Sequence, residues 1–261
     1  MTTTMARPVG TSYSTTPDVM FPGIPFSRLL RVEWGKATDT RAARWLLAAV
    51  AASTVGLMLA PILSPSSIEQ SYTSYLGFAA VALSILLPVV AILTLTSEWS
   101  QRTNLATFTQ EPRRTRVVIS KIVVSLMLGA GAAVFGALVT AAGLGVAAVA
   151  GRTLDANLSA GLMVAFVAYV LLNIMTGVAL GALVHNSAAA IVASFVLPIG
   201  FALLGRVSTV VANWLDYSAA FNWLLNGQWS DHTAQIVVAV VLWVVAPLVV
   251  GLVRTVRREI S

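Results

Sequence analysis

Cysteine is absent from the chain, which excludes disulfides, thiolate nucleophiles and cysteine-ligated metals. Charge is scarce as well. Only 10% of the 261 residues are Asp, Glu, Lys or Arg, against roughly a quarter in a soluble domain. So few charges cannot cover a water-facing surface, and with 57% of residues hydrophobic the natural surroundings of the chain are lipid. Histidine is limited to His185 and His232. No G-x-x-x-x-G-K-[ST] loop is present, and Gly35-Lys36 lacks both the earlier glycine and the following hydroxyl. ATP hydrolysis by that route is therefore closed to this chain. The net charge of +6 comes from residues spread along the edges of apolar runs. They form no basic patch interleaved with exposed aromatics, so nucleic acid is not the partner they indicate.

What is there is a series of apolar runs of about 20 residues, the length a helix needs to cross a hydrocarbon layer of about 30 Å. Span 1 runs over 45–63 and span 2 over 74–96, with Pro61, Ser64, Pro65 and Ser66 starting the link. Between Lys121 and Arg152 lie 30 residues without a charge, so span 3, over 122–150, is tilted or continues as helix beyond the lipid. Span 4 covers 158–184. The short polar break at His185, Asn186 and Ser187 forces a hairpin into span 5, over 188–204. Span 6 covers 234–253. The spans are rich in Ala, Leu and Val and lack the alternating pattern of barrel strands. The predicted fold class is all-α: a polytopic membrane protein of six transmembrane helices.

Charge sets the orientation. Six basic residues precede span 1 (Arg7, Arg28, Arg31, Lys36, Arg41 and Arg44). Between spans 2 and 3 stand Arg102, Arg113, Arg114, Arg116 and Lys121, and after span 6 stand Arg254, Arg257 and Arg258. Of the 16 Lys and Arg, only Arg152 and Arg206 fall on the other side. The positive-inside rule places both termini in the cytosol of a plasma-membrane protein. Residues 1–24, rich in Thr, Ser and Pro, lack the pattern of a secretory signal and read as a disordered cytosolic tail; residues 254–261 read as a short cytosolic tail.

Three stretches outside the spans carry information. Residues 25–44 form an amphipathic elbow helix on the membrane surface, with Phe26, Leu29, Leu30, Trp34 and Ala37 on one face and Arg28, Arg31 and Lys36 outside it. Glu33 intrudes on the apolar face. Its ordinary role is an ion pair with Lys36 three residues on; the alternative is a polar contact to a neighbouring helix. The loop 97–121 is about 25 residues long, unusual for a structureless connection. Within it Asn104 to Gln110 can form short helical turns presenting Leu105 and Phe108 together, ended by Glu111 before Pro112. Two readings fit: a docking knob for a partner, or a surface turn whose Leu105 and Phe108 dip into lipid while Arg113, Arg114 and Arg116 meet anionic headgroups. The third stretch, 206–233, mixes Trp214, Trp223 and Trp229 with Asp216, Asn222, Asn226 and Asp231, a composition suited to the interface, where the tryptophans serve as anchors.

Glu98 leaving span 2, Thr103 five residues on, then Pro112, Arg113, Arg114, Arg116 and Lys121 entering span 3 form a pattern. With Glu33 and Lys36 upstream, it resembles the permease subunits of type-two ABC exporters, in the compact six-span form common in actinobacteria. Arg102 stands where such loops usually carry Gly, which alters the turn into the following helix. The resemblance implies a bacterial plasma-membrane permease whose residues 103–111, with Thr103, Asn104, Leu105, Phe108 and Glu111, form a coupling helix seated on a separate ABC ATPase subunit. It also implies a second permease copy or paralogue, membrane lipid as surroundings, short re-entrant helices capping the exit within 206–233, and ATP with Mg bound on the ATPase. The permease itself would bind no cofactor or metal and would not be an enzyme. The expected cargo is hydrophobic or amphiphilic.

Rival functions are weighed by what the spans contain. A secondary transporter keeps ionisable groups at membrane depth, and none of the six spans as drawn carries Asp, Glu, Lys or Arg. The driving force is thus expected from outside the membrane domain. An intramembrane hydrolase would need a His with usable partners, but the two histidines fall on opposite faces, and Ser230, Asp231 and His232 read as a solvated loop cluster. A non-transporting sensor or assembly subunit that binds its partner through 97–121 stays open. Gly177 and Gly181 make a GxxxG on span 4, and Gly129, Gly131, Ala132 and Gly136 a small-residue face on span 3. Ordinary packing within the chain is the first expectation for these, a dimer seam the second. Asn173 and Thr176 read as interhelical hydrogen-bonding groups.

Overall fold

The computed structural model describes residues 24–100, 114–155 and 158–257. Within them the chain is all helical, with six helices long and apolar enough to cross a membrane. It is a polytopic membrane protein, and the expected class holds. In chain order the helices are α1 (Phe26–Asp39), α2 (Arg41–Leu63), α3 (Tyr72–Ser100), α4 (Arg114–Val149), α5 (Ala160–Val184), α6 (Ser187–Gly205), α7 (Tyr217–Leu225), α8 (Thr233–Val240) and α9 (Ala246–Arg257). Spans 1 to 5 are α2 to α6, and span 6 joins α8 to α9 through a single π-helical turn, Val241–Val245. That turn sits just before Pro247, which has no N–H to continue the regular ladder.

The elbow and span 1 are separate helices. Thr40 adopts an extended backbone and its Oγ1 accepts from the Ala43 N–H at 3.2 Å, ending α1 and opening α2 in one residue. Helix α4 starts at Arg114, eight residues before the run of uncharged residues begins, so Lys121 lies two turns inside a helix. Charge marks where hydrocarbon can begin. It does not mark where a helix begins, and nothing between Arg114 and Lys121 breaks one.

Helices α3 and α5 form the centre, burying Tyr75, Leu83, Leu87, Phe166, Val170 and Ile174 between them and their neighbours. Glycine permits their approach. A Cβ on Gly177 would lie 2.6 Å from the Cα of Pro88 and closer still to its carbonyl oxygen, whereas one on Gly181 would meet Ile92 and Leu95 at an ordinary 3.4 Å. The GxxxG of span 4 therefore faces span 2 of the same chain. Gly251 brings α9 against α5 in the same way, with a Cβ there 2.7 Å from the Ala182 Cβ. Helix α6 buries only Ala190, and its outward Val192, Val196, Ile199 and Leu203 suit a lipid surround.

At the end of the bundle away from the elbow, Arg152 closes the α2–α3 link. Its guanidinium donates to the Pro61 and Ile62 carbonyls at 3.1 and 2.6 Å and to Gln70 Oε1 at 3.1 Å, which also accepts from the Tyr75 hydroxyl at 2.8 Å. The last carbonyls of α2 have no helical donors, and a cation there satisfies both their lone pairs and the helix dipole. A single parallel bridge, Ser71 with Asp155, ties the same two links.

The stretch between spans 5 and 6 is helical and folded onto the bundle. A π turn, Val211–Leu215, is followed by α7, whose first N–H groups, from Ser218 and Ala219, are accepted by the Asp216 carboxylate. Phe221 is fully buried. Burial first, then the Asp216 carboxylate and the Tyr169 phenol, raise the Tyr217 phenol well above its ordinary range, so it stays neutral. Trp243, in the π turn of span 6, donates its indole N–H to the Leu215 carbonyl at 2.9 Å and packs against Phe201 and Tyr217. The two π turns thus meet at one hydrogen bond. Trp214 and Trp229 are exposed, while Trp223 stacks on His232 with ring centres 4.1 Å apart.

Gly177→Ala is expected to lower stability by about 1–3 kcal/mol, because backbone rather than a movable side chain blocks the new methyl. Gly181→Ala should stay within about 0.5 kcal/mol of the parent. Thermal unfolding of the two variants in detergent checks this, and equal losses would contradict the packing described.

Candidate functional site: a buried carboxylate joining the elbow to span 3

Two of the buried charged side chains among the described residues, Glu33 and Lys121, meet at the elbow. Helix α1 turns Phe26, Leu29, Leu30, Glu33 and Ala37 to one side, a spacing that makes a continuous stripe along a helix. Glu33 and Ala37 on that stripe are buried. The facing surface is the first two turns of α4, where Val117, Val118, Ser120 and Lys121 are buried.

Glu33 and Lys121 meet across this contact. Lys121 Nζ lies 2.6 Å from Glu33 Oε2, and both side chains are only 4% exposed. The other oxygen, Oε1, accepts from Lys36 at 2.7 Å, and Lys36 stands 41% exposed at the rim. One carboxylate therefore holds two cations, one inward on another helix and one outward on its own. Both readings of Glu33 drawn from the sequence are realised together. Lys121 Nζ also approaches the Thr94 carbonyl on α3 at 3.5 Å, so the site touches three helices. Each charge is costly to bury without its partner, and the pair persists only while α1 and α4 stay in register. Near the start of α1, Arg116 donates to the Ile24 carbonyl at 2.7 Å, a second attachment of the elbow to α4.

A second polar cluster holds the hairpin between spans 4 and 5 on this same side. His185 takes a left-handed backbone with φ of 54°, ending α5, and Asn186 accepts from the Ala189 N–H to open α6. His185 Nε2 lies 2.8 Å from Thr255 Oγ1, which is itself 2.9 Å from the Gly251 carbonyl oxygen. Arg254 donates to the Leu183 carbonyl at 2.7 Å, and Thr96 on α3 pairs with Ser187 at 2.7 Å. The ends of spans 2 and 6 thus grip one turn.

Of the residues singled out in the sequence, the structure brings Glu33, Lys36 and Lys121 into one contact and places Arg116 beside it. Glu98 falls in the last turn of α3 and Arg114 opens α4. Arg102, Thr103, Asn104, Leu105, Phe108, Glu111 and Arg113 lie outside the described residues. Gly177 and Gly181 are remote, inside the bundle against α3. Thr94, Thr96 and Thr255 had no role legible in the sequence, and Ser187 only that of a polar break between spans 4 and 5. A polar residue in the last turns of a span was the available sign, but it does not name a partner. Among the described residues no group of three or more His, Asp or Glu could hold a metal ion. Compared with protein-family models and with curated protein sequences, the chain matches none.

Lys121→Met should cost about 3 kcal/mol, the lower end for a broken buried pair because Lys36 still faces the carboxylate. Adding Glu33→Leu to that variant should recover most of the loss, since no charge is then left buried. Thermal unfolding of the single and double variants decides the matter; a double variant no better than the single would mean that the loss lies in packing rather than charge.

Proposed function

We propose that the chain is the permease subunit of an ATP-driven ABC transporter, exporting a hydrophobic or amphiphilic substrate across a bacterial plasma membrane and driven by a separate ATPase subunit. The observation that carries this reading is the buried Glu33–Lys121 pair. In the sequence residues 101–113 connect the end of α3 to the start of α4, and the pair fixes α4 to the elbow two turns after that start. A connection that merely joined two spans needs no buried ion pair at its root. A lever does, because a push on the loop then reaches α4, the elbow and span 1 together.

In this reading Thr103 to Glu111 is the coupling helix, Leu105 and Phe108 fill a groove on the ATPase, and both termini are cytosolic. Nucleotide-driven closure rocks the chain against a second permease copy or paralogue, and cargo moves along their shared interface. The absence of Asp, Glu, Lys and Arg from the drawn spans supports a driving force outside the membrane domain. ATP and Mg belong to the partner, and this chain catalyses no hydrolysis.

Replacing Leu105 and Phe108 by Asp is expected to weaken association with the ATPase by about 30-fold or more, the effect of removing a central apolar anchor. Co-purification with the neighbouring ATPase, followed by ATP-dependent uptake of cargo into inverted vesicles, measures both halves of the proposal. Unchanged association would remove the coupling helix. A partner that binds but drives no movement would leave the chain a sensing or assembly module.

A further inference from the structure

The elbow presents a second face, opposite the one that seats on α4. Arg28 and Arg31 are exposed on α1, and Arg41 and Arg44 are exposed in the first turn of α2. Arg28, Arg31 and Arg41 make no ion pair among the described residues, and Arg44 reaches the exposed Asp39 only at 3.9 Å. Two aromatic rings accompany them: Trp34 is 39% exposed and Trp45 is 77% exposed. Trp45 is followed by the apolar run of span 1, so it marks the level where hydrocarbon begins, and Arg41 and Arg44 stand at or within about one turn above it.

The acid that would neutralise this face is turned away from it. Residues 26–45 carry two carboxylates, Glu33 and Asp39. Glu33 is buried against Lys121 and its other oxygen holds Lys36, which leaves Asp39 alone against four exposed arginines, Arg28, Arg31, Arg41 and Arg44. The pair with Lys121 thus does two things: it seats the elbow and it keeps the outward strip basic. Exposed guanidinium groups along α1 and at the start of α2, with the exposed Trp34 and Trp45 among them, match one chemistry in the surroundings of a membrane protein. That chemistry is the phosphate of an anionic phospholipid, which guanidinium binds through paired N–H donors.

We propose that Arg28, Arg31 and Arg41, with Trp34 and Trp45, form a binding strip for anionic phospholipid on the side of the membrane that carries the elbow. Zwitterionic lipid is held less well there because its own cation opposes the strip. Each arginine contributes about fivefold to the preference, the effect of about 1 kcal/mol per basic residue at a charged surface.

The test uses the full chain in vesicles of phosphatidylcholine containing increasing fractions of brominated phosphatidylglycerol or, in parallel, brominated phosphatidylcholine. Quenching attributable to Trp34 and Trp45 is obtained by difference from the Trp34→Phe/Trp45→Phe variant. The anionic quencher is expected to act at a much lower mole fraction than the zwitterionic one. In Arg28→Gln/Arg31→Gln/Arg41→Gln that advantage should fall by about 100-fold or vanish, and about 1 M salt should weaken it in the parent. Thermal unfolding confirms that the variant is folded; should the triple variant not fold, the single Arg31→Gln variant is titrated instead, with a fivefold loss expected. Equal quenching by the two lipids, or a preference unchanged by the substitutions, overturns the proposal. Loss of ATPase association with an unchanged lipid preference overturns it also, because the arginines would then serve a protein partner.

Discussion

Hydrocarbon offers no hydrogen bonds, and this one constraint organises the molecule. It accounts for the uniformly helical backbone, and also for where the polar side chains sit. In the spans, several hydroxyl and amide side chains turn back to their own helix: Thr54 to Val50, Thr96 to Ile92, Asn173 to Tyr169 and Thr176 to Leu172. Charged side chains are used where a helix ends or where two helices must be held at a fixed offset. Arg152 and Arg254 meet terminal carbonyls, and Glu33 meets Lys121.

The two ends of the bundle are consequently fastened by different means. Away from the elbow the fastening runs between loops, through Arg152, Gln70 and the Ser71–Asp155 bridge. On the elbow side it runs between helices, through the Glu33–Lys121 pair and through the grip of Thr96, Arg254 and Thr255 on the α5–α6 turn. The second arrangement connects segments far apart in the chain, so that displacement of one is felt by several. A site receiving force from a partner requires this, and the proposed coupling loop springs from the same end.

The six spans were legible because length and hydropathy alone decide them, and the structure places helices over all of them. Helix ends were less so. Lys121 served as the boundary of span 3, yet α4 begins at Arg114, since a lysine held by a carboxylate is no obstacle to a helix. The intrusion of Glu33 on an apolar stripe was visible, but its partner 88 residues away was not, because sequence spacing on one helix cannot name a contact on another. Arg152 looked like an exception to a charge rule and is a cap on carbonyls 90 residues earlier. The helix after Asp216 had a readable start, an acid followed by Tyr217 and Ser218, which the richness in tryptophan obscured.

The contact between Gly177 and Pro88 leaves no clearance between the backbones of α3 and α5. If either slid along the other by a fraction of a turn, the glycine would give way to Met175, Thr176 or Val178, and main chain would strike side chain. These two helices are therefore the keel of the molecule. Span 6 is locked to the same pair by Gly251 against Ala182, so α6, which buries only Ala190, is the span least held by this contact.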